Sequence, residues 1–321
     1  MRFPAIALLT SLVVLVGCGD DTTDAGSDAS FVTAKSGYHK IRKTDDGYVY
    51  SGVAVSGSKA YLAKGARGVH EVDLGTMKVT QKIERDAADA QLFVDGVVTA
   101  GKELLAYGQR DDAEPDPYAG GEFARSFVMT FIDRSSRKST QTVRIDLTRV
   151  LSEGSSGFVD LPNMAASYDP STDRLAVTFG HMDLPERLFV FARPTEDDVS
   201  FDLEEIPGAD VWEVDNPHAV FLTGDLAYLA ASSDGAFVLD MAAAEITHLS
   251  ADVGYAVGIT AAGGSVFVAD HDSGLHVLDA TSGEIKADVA VDDWVTGVAV
   301  DKSNVYVGSW NGLYVARNQW K

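Results

Sequence analysis

Four stretches of the chain superimpose without a gap: Val53–Ala63, Val220–Ala230, Ile259–Ala269 and Val298–Gly308. In each, an apolar residue stands eight positions before an aromatic, Tyr61, Tyr228, Phe267 or Tyr306, and a small residue follows two later. Further on, Gly68, Gly235 and Gly274 each stand five before an aspartate, Asp73, Asp240 and Asp279, with Val or Leu just ahead of it. In the last copy Gly312 keeps its place and Arg317 replaces the aspartate. Self-similarity of this kind means that one small unit is built repeatedly and stacked on itself, because a single copy cannot bury its own apolar face.

Every piece of the unit reads as a short strand, rich in Val, Ile, Tyr and Phe and bounded by Gly, Ser, Asp and Asn turns. No stretch between Gly37 and Lys321 sustains a helical period with a capping signal. Two weaker copies fill the middle, one with Leu104-Leu105-Ala106-Tyr107 and Phe127 to Asp133, the other with Asp169 to Asp173 turning into Arg174-Leu175-Ala176-Val177. Taking Ala60, Leu104, Leu175, Ala227, Val266 and Val305 as equivalent points, the intervals are 44, 71, 52, 39 and 39 residues. Four strands in about 40–50 residues, repeated radially, make the blade of a β-propeller. The expected fold is therefore all-β: a six-bladed propeller of four-stranded antiparallel sheets, with seven blades as the alternative. The last copy ends at Lys321 after its third strand, and an unpaired strand-like segment, Tyr38-His39-Lys40-Ile41-Arg42, precedes the first. That segment is expected to complete the last blade and close the ring, removing exposed sheet edges.

The N-terminus divides differently. Arg2 is followed by an almost unbroken apolar run of fourteen residues, Phe3 to Val16, and then Gly17-Cys18. Such a run is too short for a bilayer span, which needs roughly 20 residues, and suits a secretory signal. Leu15-Val16-Gly17-Cys18 resembles the bacterial lipobox, in which cleavage leaves the cysteine as the new N-terminus, and it is the sole cysteine of the 321 residues. The resemblance implies acylation of Cys18, since only a thiol takes a diacylglyceryl group as a thioether. Two or three acyl chains anchor where one is marginal. Gly19 to about Gly37 shifts to Asp, Thr, Ser, Gly and Ala, with little to bury, and reads as a flexible acidic tether. The expected organisation is a lipoprotein signal peptide at 1–17, a lipidated cysteine and linker at 18–37 and the propeller at 38–321. Its place is outside the cytoplasm, on a bacterial membrane or cell surface.

Formal charge is −22, and loss of Arg2 with the signal would make it −23. A phosphate backbone would be repelled, so nucleic acid is excluded as a partner. One cysteine allows no internal disulfide, CxxC zinc site or iron–sulfur cluster.

Gly52-Val53-Ala54-Val55-Ser56-Gly57 with Ala60-Tyr61-Leu62-Ala63, followed by Gly68-Val69 and Val72-Asp73, resembles the LVIVD repeat of bacterial surface and exported proteins; Gly258 to Asp279 matches about as well. The likeness covers about two-thirds of the mature chain. It implies a propeller of binding function and brings no catalytic residues.

If strands are counted outward from the axis, the first-to-second and third-to-fourth turns share one face, and the remaining connections share the other. Turns of the first kind are tight: Ser56-Gly57-Ser58, Thr223-Gly224-Asp225, Ala262-Gly263-Gly264 and Thr281-Ser282-Gly283. The long irregular segments, Gln109 to Glu122, Leu147 to Asn163 and His181 to Arg187, all fall on the second face. Candidate binding residues there are Asp215, Asn216, His218, Tyr255, Asp292, Asp293 and Trp294 near the axis, with Asp45 and Asp46, and around them His181, Asp183, Asp270, His271, Asp272, Trp310 and Asn311. Trp and Tyr supply flat amphipathic contact, while His and Asp orient a polar ligand. Asp and Asn at such positions also hold turns through their own backbone, and Trp294 and Trp310 could instead seal blade packing.

No metal or cofactor is expected. Asp270-x-Asp272-x-Gly274 begins like a calcium loop but lacks the later acidic ligand. The blade-equivalent Asp73, Asp133, Asp240 and Asp279 read as turn initiators, and GxSxG, HExxH and phosphate loops are absent. The favoured function is a monomeric, lipid-anchored, non-enzymatic module that binds an envelope protein or glycan. A metal-dependent propeller hydrolase or lactonase stays open as the alternative. It would want carboxylates on several inner strands, whereas Val53-Ala54-Val55, Phe221-Leu222, Ile259-Thr260 and Val298-Ala299-Val300 carry none.

Overall fold

A computed structural model describes residues 31–34, 38–41, 51–65, 67–83, 92–111, 125–147, 163–181, 184–202, 208–210, 214, 216–250, 252–310 and 312–320. Cys18, Asp45, Asp46, Asp183, Asp215 and Asn311 lie outside the described residues.

The described elements are all strands. Two short ones, β1 (Phe31–Ala34) and β2 (Tyr38–Ile41), precede the repeats. Blade 1 is β3 (Gly52–Ser56), β4 (Lys59–Ala63), β5 (Val69–Asp73) and β6 (Lys78–Ile83). Blade 2 is β7 (Leu92–Ala100), β8 (Glu103–Asp111), β9 (Arg125–Asp133) and β10 (Ser139–Asp146). Blade 3 is β11 (Asn163–Asp169), β12 (Arg174–His181), β13 (Leu184–Ala192) and, beyond β14 (Asp198–Asp202), β15 (Gly208–Asp210). Blade 4 is β16 (Ala219–Thr223), β17 (Leu226–Ala230), β18 (Ala236–Asp240) and β19 (Glu245–Ser250). Blade 5 is β20 (Ala256–Ala262), β21 (Ser265–Asp270), β22 (Gly274–Asp279) and β23 (Ile285–Val289). Blade 6 opens with β24 (Val295–Val300), β25 (Asn304–Ser309) and β26 (Gly312–Arg317).

These form six antiparallel sheets arranged as a six-bladed propeller. The six positions taken as equivalent in the sequence, Ala60, Leu104, Leu175, Ala227, Val266 and Val305, are each the second residue of a second strand, and each is fully buried. Closure follows the expected route: β2 pairs antiparallel with β26, His39 opposite Val315 and Lys40 opposite Tyr314. β1 then adds a fifth strand outside β2. It lies within the stretch whose composition reads as tether, where Phe31 and Val32 interrupt the polar run. Blades 2 and 3 are stitched in a way the repeat does not announce. The path that should form the outer strand of blade 3 first runs parallel to β10 as β14, then returns to β13 as β15.

Packing explains why the repeat looks as it does. The described core falls into six apolar clusters, one at each seam between neighbouring blades, including the seam that joins blade 6 to blade 1. The recurring aromatic of each good copy fills the seam toward the next blade: Tyr61 toward blade 2, Tyr228 toward blade 5, Phe267 toward blade 6 and Tyr306 toward blade 1. Burying one such side chain contributes about 1.5–3 kcal/mol. The recurring glycine opens the third strand. Gly274 has φ +107, and a Cβ there would meet the Val289 carbonyl oxygen at 2.4 Å, so no other residue fits without displacing backbone. The recurring aspartates initiate turns as read. Asp73, Asp133, Asp240 and Asp279 each accept backbone N–H groups two or three residues on, as from Thr281 and Ser282 to Asp279 at 2.9 Å.

One expected long loop is absent. His181 closes β12 directly opposite Leu184, the first residue of β13, so the segment His181 to Arg187 is a tight hairpin inside a sheet. The consecutive apolar residues Leu188, Phe189, Val190 and Phe191, buried or half-buried on both faces, fit a strand that a reading based on irregular spacing passes over.

Candidate functional site

The connections leading into inner strands and those joining second to third strands lie on one face, and blades 4 to 6 place aromatic side chains on them. His218 immediately precedes β16, Tyr255 precedes β20 and Trp294 precedes β24. His271 follows β21 and Trp310 follows β25. Backbone hydrogen bonds lock these positions together. His271 N–H donates to the Tyr255 carbonyl at 2.9 Å, Val295 N–H to the His271 carbonyl at 3.1 Å and Trp310 N–H to the Trp294 carbonyl at 3.0 Å.

The rings follow one another as a continuous array. His218 and Tyr255 have centroids 5.5 Å apart, Tyr255 and His271 5.7 Å, and His271 stacks on Trp294 at 5.4 Å and 26°. Trp294 meets Trp310 edge to face at 4.3 Å and 86°. Tyr255, Trp294 and Trp310 are 38%, 49% and 39% exposed, the large hydrophobic side chains left open to solvent among the described residues. Five sequence candidates are thus brought into one feature. Asp292 is exposed beside it. Asp293 is half-buried and committed to the scaffold, accepting from Trp294 N–H at 2.9 Å and from the Ser309 hydroxyl at 2.8 Å. Asp272 is exposed and meets His271 Nδ1 at 2.9 Å.

Asp270 is also a scaffold residue. It accepts N–H groups from Gly254, Tyr255, Asp272 and Ser273, fixing the approach of Tyr255. Burial opposes its ionisation, but His276 and those amides hold its carboxyl far below the usual range. Its oxygens are taken, which removes the resemblance to a calcium loop. Asn216 stands at φ +52 and is bonded to Asn163 on blade 3. His181 ends β12 in blade 3, beside the entry to blade 4, since a Cβ on Gly180 would meet Pro217 at 2.8 Å; it is not one of the rings of the array.

The array begins at the rim of an axial cavity of about 670 Å³ to which all six inner strands contribute. Its polar lining is Ser51, Asp95, Gln109, Asn163, His218 and Thr296. The strands pass very close here: a Cβ on Gly258 would stand 2.8 Å from the Gly297 Cα, so the ring of inner strands closes only with glycine at that point. Just before each such point the ladder skips a residue, Asp95 in β7, Val257 in β20 and Thr296 in β24, and the bulge turns it toward the axis.

Asp95 is the site residue that the repeat does not disclose. It lies in the weakest copy, and its signal is positional: it precedes Gly96 as Ser51 precedes Gly52 and Thr296 precedes Gly297. Burial pushes its carboxyl up to about 6, against one hydrogen bond from the Gln109 N–H. Tyr107 packs beside it; burial and then the Asp95 charge raise its phenol, against a hydrogen bond that its oxygen accepts from the Ala166 backbone N–H. Burial, and secondarily His271, lowers the His218 imidazole below its ordinary value, and its Nε2 is buried without a partner among the described residues.

No family model and no curated protein matches the chain. Among solved structures, the computationally designed Ika8 protein is similar at 9% identity and a TM-score of 0.48, over 86% of this chain and 98% of that one. A likeness of that degree says nothing about a ligand.

Proposed function

We propose that the chain is a lipid-anchored binding module of the bacterial envelope, an LVIVD-like propeller tethered through Cys18 that holds an envelope protein or glycan on its aromatic face. The observation that carries this reading is the exposure of Tyr255, Trp294 and Trp310 together, ordered by backbone hydrogen bonds. Large aromatic surface left in water on a fixed frame is where binding energy concentrates. The test is capture of a partner from detergent-solubilised envelope. Trp310→Ala should lose the partner while melting like the parent, and Cys18→Ala should lose membrane association at high salt while keeping the fold. Retention of the partner by Trp310→Ala would sink the reading.

A hydrolase or lactonase would draw on several carboxylates at the axis, and among the described residues Asp95 is the one carboxylate lining the cavity. Metal analysis of the soluble domain with an esterase and lactonase screen separates the two readings.

A further inference from the structure

The axial cavity holds a carboxylate that the fold does not need. The bulge positions equivalent to Asp95 carry Val257 and Thr296, so the bulge forms equally well with a hydroxyl or a hydrocarbon. The turn aspartates, by contrast, recur from blade to blade and bond to their own backbone. An ionised carboxylate out of water is strongly unfavourable unless paired. Among the described residues Asp95 has the Gln109 N–H and no basic side chain, and neither Lys nor Arg lines the cavity. With a formal charge of −22, the surroundings concentrate cations, not anions.

The rest of the cavity says which kind of cation fits. A hard metal ion wants six or more oxygens, and no cluster of three or more His, Cys, Asp or Glu able to hold a metal occurs among the described residues. The mouth, through His218, leads to Tyr255, Trp294 and Trp310, whose ring faces attract an organic cation, with Asp272 and Asp292 exposed alongside. Resting on the binding-module reading above, we propose that the axial cavity takes a small organic cation, its ammonium group against the Asp95 carboxylate and its apolar or ring portion toward the aromatic mouth. The volume of about 670 Å³ lies in the range of small-molecule sites.

The association should weaken in acid. Two titratable groups share the cavity region with Asp95: Tyr107, raised and therefore neutral throughout, and His218, lowered and neutral near pH 7. Protonating Asp95 removes the attraction, and protonating His218 adds repulsion, so both act in one direction. A flat pH profile in Asp95→Asn assigns the dependence to the carboxyl.

The probes are phenethylamine, its neutral near-isostere phenethyl alcohol and tri-N-acetylchitotriose, titrated by calorimetry and tryptophan fluorescence at pH 8 and pH 5. Phenethylamine should bind saturably at pH 8, at least about tenfold tighter than the alcohol, as a charge-assisted hydrogen bond allows. Asp95→Asn should remove that advantage and leave the alcohol unchanged, and Trp294→Ala should weaken both. Equal binding of amine and alcohol, no amine binding at all, or full amine affinity in Asp95→Asn would overturn the inference. Chitotriose binding that needs Trp294 but ignores Asp95, with no amine binding, would discard the cation and keep the binding module. Loss of no partner in any aromatic variant would discard the module itself.

Discussion

The two faces of the propeller differ in the polar groups they leave unsatisfied. On the tight-turn face, carboxylates are consumed by the fold: Asp169 accepts from Ser171, Thr172 and the Gly224 N–H of the next blade, and Asp301 takes Ser303, Asn304 and Tyr306. On the loop face Asp95 is half-buried in the axial cavity with a single amide, the His218 Nε2 is buried without a partner among the described residues and three large aromatics stand in water. The loop face has scaffold carboxylates too, Asp270 and Asp293, yet beside them it retains these unfavourable groups. The comparison makes a quantitative demand: substitutions on the first should lower stability and leave binding alone, and those on the second should do the reverse.

The largest effect is expected at Arg193, on the turn face of the seam between blades 2 and 3. Its guanidinium lies 3.5 Å over the Phe131 ring and donates to Glu103 at 2.7 Å and to Gln141 at 2.6 Å. Gln141 in turn holds the Pro194 and Glu196 carbonyls at the start of the stitching segment. Glu103 is 8% exposed at its side chain, so Arg193→Ala strands a buried carboxylate and should reduce stability by about 3 kcal/mol. Burial opposes ionisation of Glu103, yet Arg193 and Thr140 hold its carboxyl below the usual range. A lowered folded value means stability that is present above the ordinary glutamate range and lost as pH falls through the folded value. The penalty read by denaturant melts at pH 7 should therefore shrink in acid. An undiminished penalty at low pH would assign it to packing on Phe131 instead.

Asp95→Asn should do the opposite. A folded carboxyl at about 6 binds a proton that the unfolded chain, near 3.8, has released, so stability falls as pH rises between those values. Removing the charge should raise stability at pH 8 by about 2–3 kcal/mol and change nothing near pH 4. Destabilisation at pH 8 would mean that the carboxylate is satisfied, and the contrast between the faces would fail at its centre.

How much of this was legible follows from the same contrast. Six blades, the buried second-strand positions and the closing strand are printed in the sequence because four of the six blades repeat the same aromatic, small residue and glycine, and the other two keep the buried second-strand position. The aromatic mouth was legible through parity, since residues flanking inner strands must fall on one face. Asp95 was not, because a bulge breaks the alternation at that point and Asp-Gly carries the signature of a turn. The stitching of blades 2 and 3 was hidden for a related reason: β14 and β15 together occupy one strand's place, and pairing with the wrong sheet leaves no mark on a period.

The double change of Asp292 and Trp294 to Ala is the intermediate case. Capture of an envelope partner should weaken by about 2 kcal/mol or more, as at an exposed aromatic hot spot. Stability should stay within about 1 kcal/mol of the parent, since both side chains are exposed. Ser58→Ala, at an exposed turn on the other face, should alter neither quantity. A partner lost with Ser58 and kept by the double variant would exchange the roles of the faces.

The smallest effect is expected at Asp279, and its sign is the informative part. Lys286 at 2.9 Å, with the N–H groups of Ser282 and Thr281, holds this carboxyl far below its ordinary value. The ion pair is solvent-accessible, so salt screens most of it, and the amides are what Asn can partly keep by accepting one N–H through its own oxygen. Asp279→Asn should therefore lower the melting temperature slightly at pH 7, less at high salt, with the difference closing as acid protonates the native carboxylate. That trend runs against the one for Asp95→Asn, in which the variant gains on the parent as pH rises. Parallel pH trends in the two variants would mean that both aspartates serve the scaffold, and Asp95 would then need no ligand to explain it.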